Sequence, residues 1–126
     1  MRIIIPLKTP SKKNSQQLVF VSGKPRIIQS NNYLQFERDC AYFLKRYAKH
    51  IEYPVNLKCT FYVPDKRKRD LTNLLNAIQD VLVKYDVIAD DNYKIVVGVD
   101  GSRIIYEKGR EETIIDIEEL DGKKEK

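Results

Sequence analysis

The side chains best suited to chemistry fall in one stretch, Pro64 to Asp80, and in the turn Asp90-Asp91-Asn92 that follows it. Four consecutive cations, Lys66, Arg67, Lys68 and Arg69, lead directly into a carboxylate, Asp70, with an amide at Asn73. Spaced i and i+3 on a helix, the side chains of Asp70 and Asn73 can lie a few ångströms apart. Asp90 and Asp91 add two more carboxylates. Oxygen donors without His or Cys are the set that a hard cation such as Mg²⁺ or Mn²⁺ prefers. A divalent ion beside a cationic run suits phosphodiester chemistry. The cations hold phosphates, while the ion polarises a phosphoryl oxygen and lowers the pKa of an attacking water.

Each feature also has a plainer explanation. Asp70 as an N-cap stabilises a helix by about 1 kcal/mol whatever else it does. Asp90-Asp91-Asn92 is a good turn sequence, and Lys66 to Arg69 can be a solvated charge run. Asp80 stands ten helical residues, ~15 Å, beyond Asp70. That is too far to share one ion, so Asp80 reads as a salt-bridging or supporting residue.

The elements that position these groups follow from periodicity. Val55 to Val63 alternates apolar and polar residues, the mark of a half-buried strand. A helix from about Asp70 to Tyr85 gathers Leu71, Leu74, Leu75, Ile78, Val81, Leu82 and Tyr85 on one apolar face. An earlier helix, Asn31 to Lys49, takes Asn31 or Asn32 as its cap. Arg2 to Leu7 reads as a first strand, and Leu18 to Val21 with Arg26 to Ile28 as a short hairpin turning at Ser22 to Pro25. Ile95 to Val99, Arg103 to Tyr106 and Thr113 to Ile117 read as strands, with Asp100-Gly101 as a hairpin or bulge signal. The order β-ββ-α-β-α-β-β-β predicts an α/β (α+β) domain, two helices on a mixed sheet.

With 126 residues, of which 42% are hydrophobic and 33% charged, the chain has the composition of one soluble globular domain. That domain is expected over 1–120, with a charged tail at 121–126. Apolar runs are far shorter than the ~20 residues of a membrane span. The first is broken by Pro6 and Lys8, unlike a secretory signal. The net charge of +5 is unevenly distributed: Met1 to Arg69 holds 15 Lys and Arg against 4 Asp and Glu, and the remainder 8 against 14. A basic half suits a polyanion. Cys40 and Cys59 lack the spacing of a zinc site and read as half-buried thiols in a reducing cytoplasm. His50 reads as a cation closing a helix, with no catalytic role.

From Pro64 to Val96 the chain resembles the RusA family of Holliday junction resolvases, small bacterial and phage endonucleases that cut four-way DNA junctions. Pro64 to Leu74 and Ala89 to Asn92 stand in the family's order and spacing. Pro10, Ser11 and Asn14 are similar to its N-terminal Pro-Ser-Asn element, and the match covers most of the chain. The resemblance implies that Asp70 and Asp91 are metal-binding carboxylates and Asp90 the companion acid, with Thr72 and Asn73 adjacent in the catalytic group. Two positions depart from the family pattern. Thr72 stands where a second essential Asp is expected, and Asn76 where a catalytic Lys is expected. A threonine hydroxyl brings no charge to an ion, and the lost lysine removes a stabiliser of the phosphorane-like transition state.

The spacing has a geometric consequence. A helix from Leu71 to Lys84 is ~21 Å long, and the six steps from Tyr85 to Asp91 reach at most ~20 Å. Asp91 rejoins Asp70 within one chain only if the connection runs almost straight back; otherwise Asp91 of one subunit completes the other's site. The resemblance thus implies a cytoplasmic, homodimeric, Mg²⁺- or Mn²⁺-dependent endonuclease acting on DNA, with no membrane or small-molecule partner. It would leave 5′-phosphate and 3′-hydroxyl ends. Lys66, Arg67, Lys68, Arg69, Lys12, Lys13 and Asn14 are the expected DNA contacts. The alternatives are a junction-binding protein with weak or no cleavage, a metal nuclease of broader DNA specificity, and a small RNA-binding adaptor.

Overall fold

The alternation of Val55 to Val63 becomes β4 (Val55–Val63), the strand around which the rest is arranged. A computed structural model of the chain describes residues 1–11 and 16–120. Lys12, Lys13, Asn14 and the tail 121–126 lie outside the described residues. The remaining elements are β1 (Arg2–Ile5), β2 (Gln16–Val21), β3 (Lys24–Gln29), α1 (Asn31–Leu44), α2 (Leu71–Lys84), β5 (Val96–Gly98), β6 (Arg103–Tyr106) and β7 (Glu112–Glu119). This is the predicted order.

β7 lies antiparallel between β1 and β4, and β5 and β6 both run parallel to β4 along its other edge. The sheet is therefore mixed, as expected. Register places Ile3, Ile5, Leu57, Cys59, Phe61, Ile115 and Ile117 in the core. Phe36, Cys40 and Leu44 of α1 and Leu74, Leu75, Ile78, Val81 and Leu82 of α2 complete it. The opposite sheet face is polar, with Arg2 paired to Asp116 at 2.7 Å and the Arg110 guanidinium 3.4 Å from the centre of the Tyr62 ring.

Asp100-Gly101 does not reverse the chain, so the hairpin expected there fails, and the register shift against β4 falls at Val55 and Asn56, opposite Val96–Gly98. β5 and β6 are successive pieces of one edge, interrupted over Val99–Ser102. Side chains replace the missing ladder. Asn56 donates to the Asp100 carbonyl at 3.1 Å and accepts its amide at 2.8 Å. The Ser102 hydroxyl accepts the Cys59 amide at 3.0 Å and donates to the Leu57 carbonyl at 3.1 Å.

Other boundaries moved for local reasons. Ser30, not Asn31 or Asn32, caps α1, its hydroxyl accepting the Tyr33 amide at 3.3 Å. The α-helix ends at Leu44 and tightens into a 3₁₀ turn, Lys45–Tyr47, short of Lys49. The hairpin turns on Ser22 and Gly23 alone, both at positive φ (53° and 77°), as a two-residue connection requires. It forms a separate two-stranded sheet. Leu18 and Ile27 are paired across it, and with Phe20 they are 63%, 69% and 70% exposed.

His50 lies beyond the helix in a left-handed conformation (φ 50°). Its ring contacts Asp86 at 2.5 Å and Glu52 at 2.9 Å. Cys40 and Cys59 are buried and unbridged, and burial pushes both thiols up to about 12.

Candidate active site

The loop between β4 and α2 is folded onto itself. Asp65 accepts the Arg67 amide at 3.0 Å and the Arg69 guanidinium at 2.9 Å. Arg69 also donates to the carbonyls of Asp65 (3.3 Å) and Arg67 (3.0 Å). The Arg67 amide, and after it Arg69, hold the Asp65 carboxyl below the usual carboxylate range. The four predicted DNA-contacting cations are thus not equivalent. Arg69 is turned inward with its side chain only 15% exposed, Lys66 leans on the Tyr106 ring at 5.2 Å, and Arg67 and Lys68 stand out in solvent.

Asp70 follows at the N-cap of α2. Its carbonyl accepts the amides of Asn73 (3.1 Å) and Leu74 (3.2 Å), but its exposed carboxylate makes no capping bond among the described residues. The helix start is therefore held by backbone, and the acid is left facing solvent. Thr72 and Asn76, one turn apart, are exposed on the same helix, whereas Asn73 is buried at 9% exposure. Asp80 accepts the Tyr33 hydroxyl at 2.9 Å and ties α2 to α1.

Asp90 and Asp91 occupy the turn before β5. One Asp90 oxygen accepts the Asp91 amide at 2.7 Å and the other the Asn92 side chain at 3.1 Å. These bonds, the Asp91 amide first, hold the Asp90 carboxyl below its ordinary value. Asn92 fixes the turn further: its carbonyl accepts Ile95 and Val96, and its side chain accepts the Lys94 amide at 2.9 Å. Asp91 is exposed.

The two groups of carboxylates lie at opposite ends of the sheet. Asp70 follows the Val63 end of β4, whereas Val96, just past the Asp90-Asp91 turn, pairs with Val55 at the other end. The 14 residues of α2, ~21 Å, separate them. After α2 the chain does not run back. It pairs with His50 and Ile51, the Ile51 amide meeting the Val87 carbonyl at 3.1 Å and the Ala89 amide the Ile51 carbonyl at 2.9 Å. Among the described residues no three His, Cys, Asp or Glu side chains are grouped to hold an ion.

A family model described as Endodeoxyribonuclease RusA matches residues 8–118. The chain belongs to the RusA family. The crossover junction endodeoxyribonuclease RusA of Aquifex aeolicus (strain VF5) is 39% identical over 67 residues, 53% of this chain. That match spans about half of the relative's own length, 51%.

Within this RusA fold, the donor chemistry suits a hard divalent ion: exposed carboxylate oxygens, one at the α2 N-terminus and two in the β5 turn. The Asp70 carboxylate makes no capping bond, the exposed Asp91 carboxyl lies beside that of Asp90, and Asp90 builds the turn that presents its neighbour. One chain supplies only part of a ligand set at either end. Sequence reasoning missed two features here. The Asp65–Arg69 clip was legible only as an i, i+4 opposite-charge pair inside a charge run. Lys8, which shares a cleft with Asp70, carries no sequence signal because β1 brings it there from a distant part of the chain.

Proposed function

We propose that this protein is a structure-specific DNA endonuclease that resolves four-way junctions as a homodimer, using Mg²⁺ or Mn²⁺. Each active centre joins Asp70 of one copy to Asp90 and Asp91 of the other. The observation that carries the dimeric site is the placement of these acids at opposite ends of β4. An antiparallel pair of copies related by a two-fold axis can bring the unlike ends together twice, giving two equivalent sites. A four-way junction has the same symmetry, so paired nicks follow. The exposed apolar residues Leu18, Phe20 and Ile27 support a second copy, since a two-stranded hairpin is marginal alone in water.

When bound, the ion supplies Lewis acidity to a phosphoryl oxygen and an activated water. The chain's own groups do the rest. Asp70 and Asp91 would hold the ion, Asp90 fixes the turn beneath Asp91, and Arg67 and Lys68 would meet flanking phosphates. Such contacts make binding fall steeply with salt. Thr72, in the family's Asp position, lowers the charge available to an ion and so weakens its binding. No described helix is long and apolar enough to cross a membrane, which is compatible with action on DNA in the cytoplasm.

The test is complementation. Asp70→Asn and Asp91→Asn chains, each inactive on a synthetic four-way junction, regain nicking when mixed if sites are shared. Mixtures that stay inactive beside an active wild type sink the shared site. A junction-binding protein without efficient cleavage is the second reading, favoured by the uncharged, exposed Thr72 and Asn76. Tight junction binding with no nicking in either metal would establish it.

A further inference from the structure

The segment after β1, Lys8 to Ser11, faces the loop that carries Arg67 to Asp70. Between them lies a cleft of about 180 Å³ with Asp70 among its lining residues. A wider cleft of about 430 Å³ shares Lys8, Pro10 and Ser11 and continues to Asn32 and Gln35 of α1. Lys8 therefore stands on the wall common to both, where a strand passing Asp70 would travel on toward α1.

The wall is anchored. The hydroxyls of Thr9 and Thr113 are hydrogen-bonded at 2.8 Å, and Thr113 is buried in β7 at 1% exposure. The backbone of Lys8 is thus held to the sheet, while its ammonium has no ion pair or hydrogen bond among the described residues. On the facing wall Arg69 is turned onto Asp65, so it cannot serve a ligand without breaking the loop. Arg67 also lines the narrow cleft, its guanidinium 3.8 Å from Asp65, which leaves Lys8 and Lys68 as the lining cations without an ion pair among the described residues. A lysine ammonium, a compact charge with three donors, suits a phosphate without demanding one orientation.

We propose that this cleft is a phosphodiester subsite in which Lys8 grips a backbone phosphate of the strand that reaches Asp70. The proposal rests on the DNA-endonuclease reading and names a contact made by that site. It adds Lys8, beside Asp70, to the DNA contacts expected of Lys12, Lys13 and Asn14 further along the same stretch of sequence.

Binding of a four-way junction without divalent metal tests it, using a series in which one phosphate at a time is replaced by a neutral methylphosphonate. Wild type should lose affinity when the phosphate facing Lys8 is neutralised. Lys8→Gln should bind normal DNA about threefold to tenfold more weakly, with a salt slope shallower by about one, and should be indifferent to that same replacement. Lys8→Arg should restore both. If Lys8→Gln shows the wild-type salt slope and the wild-type response at every position, the subsite is overturned. Failure of the wild type to nick in Mn²⁺ overturns the endonuclease reading alone, since the subsite is read from binding. A chain that binds no junction overturns both.

Discussion

The Asp65 carboxylate accepts the Arg69 guanidinium at 2.9 Å, closing a loop whose next residue is Asp70. With the two carbonyls that Arg69 also binds, the clip sets where α2 begins and where Asp70 points. Arg69→Gln should therefore lower nicking by roughly 10- to 100-fold, the cost of misplacing a reacting group by about 1 Å. Junction affinity should change much less than in an Arg67→Gln or Lys68→Gln chain. A parallel loss of affinity and no selective loss of turnover would make Arg69 an ordinary DNA contact. Because the Asp65 carboxyl lies below its ordinary value of 3.8, the clip is complete at neutral pH. It is lost only as pH falls through that lowered value.

Asp70 separates capping from chemistry. Its carboxylate makes no capping bond, so Asp70→Asn should change the unfolding free energy measured in urea by no more than about 0.5 kcal/mol, while abolishing nicking. Thr72→Asp is the complementary change. It should tighten Mn²⁺ binding, followed by calorimetry, and raise nicking. It should also leave the helix unchanged or stabilised by about 0.3–1 kcal/mol, since an acid near a helix N-terminus is favourable.

His50 bridges Asp86 and Glu52 at the base of the segment leading to Asp90. The contact with Asp86 raises its pKa above 6.5. A raised value means stability that is fully present below pH 6.5 and is lost as pH rises through the folded-state value. Thermal melts of wild type and His50→Gln should therefore differ most in mildly acidic buffer and converge at alkaline pH. A gap that widens with pH would reverse this assignment.

Ser102 stands in for a strand. Removing its hydroxyl leaves the part-buried Cys59 amide without its acceptor, so Ser102→Ala should cost about 1–3 kcal/mol. In hydrogen exchange the Cys59 amide should lose protection, while Ile115, in β7 on the opposite side of β4, keeps its own.

Leu82, fully buried where α2 meets the sheet, tests the core. Leu82→Ala should cost about 2–5 kcal/mol in urea denaturation. A change below 1 kcal/mol would mean that the α2 face is not packed as described.

The elements themselves were legible in the residues. The period-two pattern of Val55 to Val63 and the apolar face of Leu71 to Tyr85 are local signals, because a strand or helix buries one face by its own geometry. The unbridged thiols, the hairpin and the family motif around Asp70 and Asp90-Asp91 could also be read from residue type and order, although both thiols are fully buried where half-burial was expected. What the chain order could not supply was distance between elements. The helical length of Leu71 to Lys84 already set Asp70 and Asp91 at the edge of reach. Only the pairing of Ile51 with Val87 and Ala89, and of Val55 with Val96, decided that the chain turns away and does not return. Those are long-range backbone hydrogen bonds, and no local propensity encodes which partner a strand will choose. The same holds for Lys8, delivered to Asp70 by the β1–β7–β4 register, and for Arg69, withdrawn from a run of four cations by one carboxylate four residues before it.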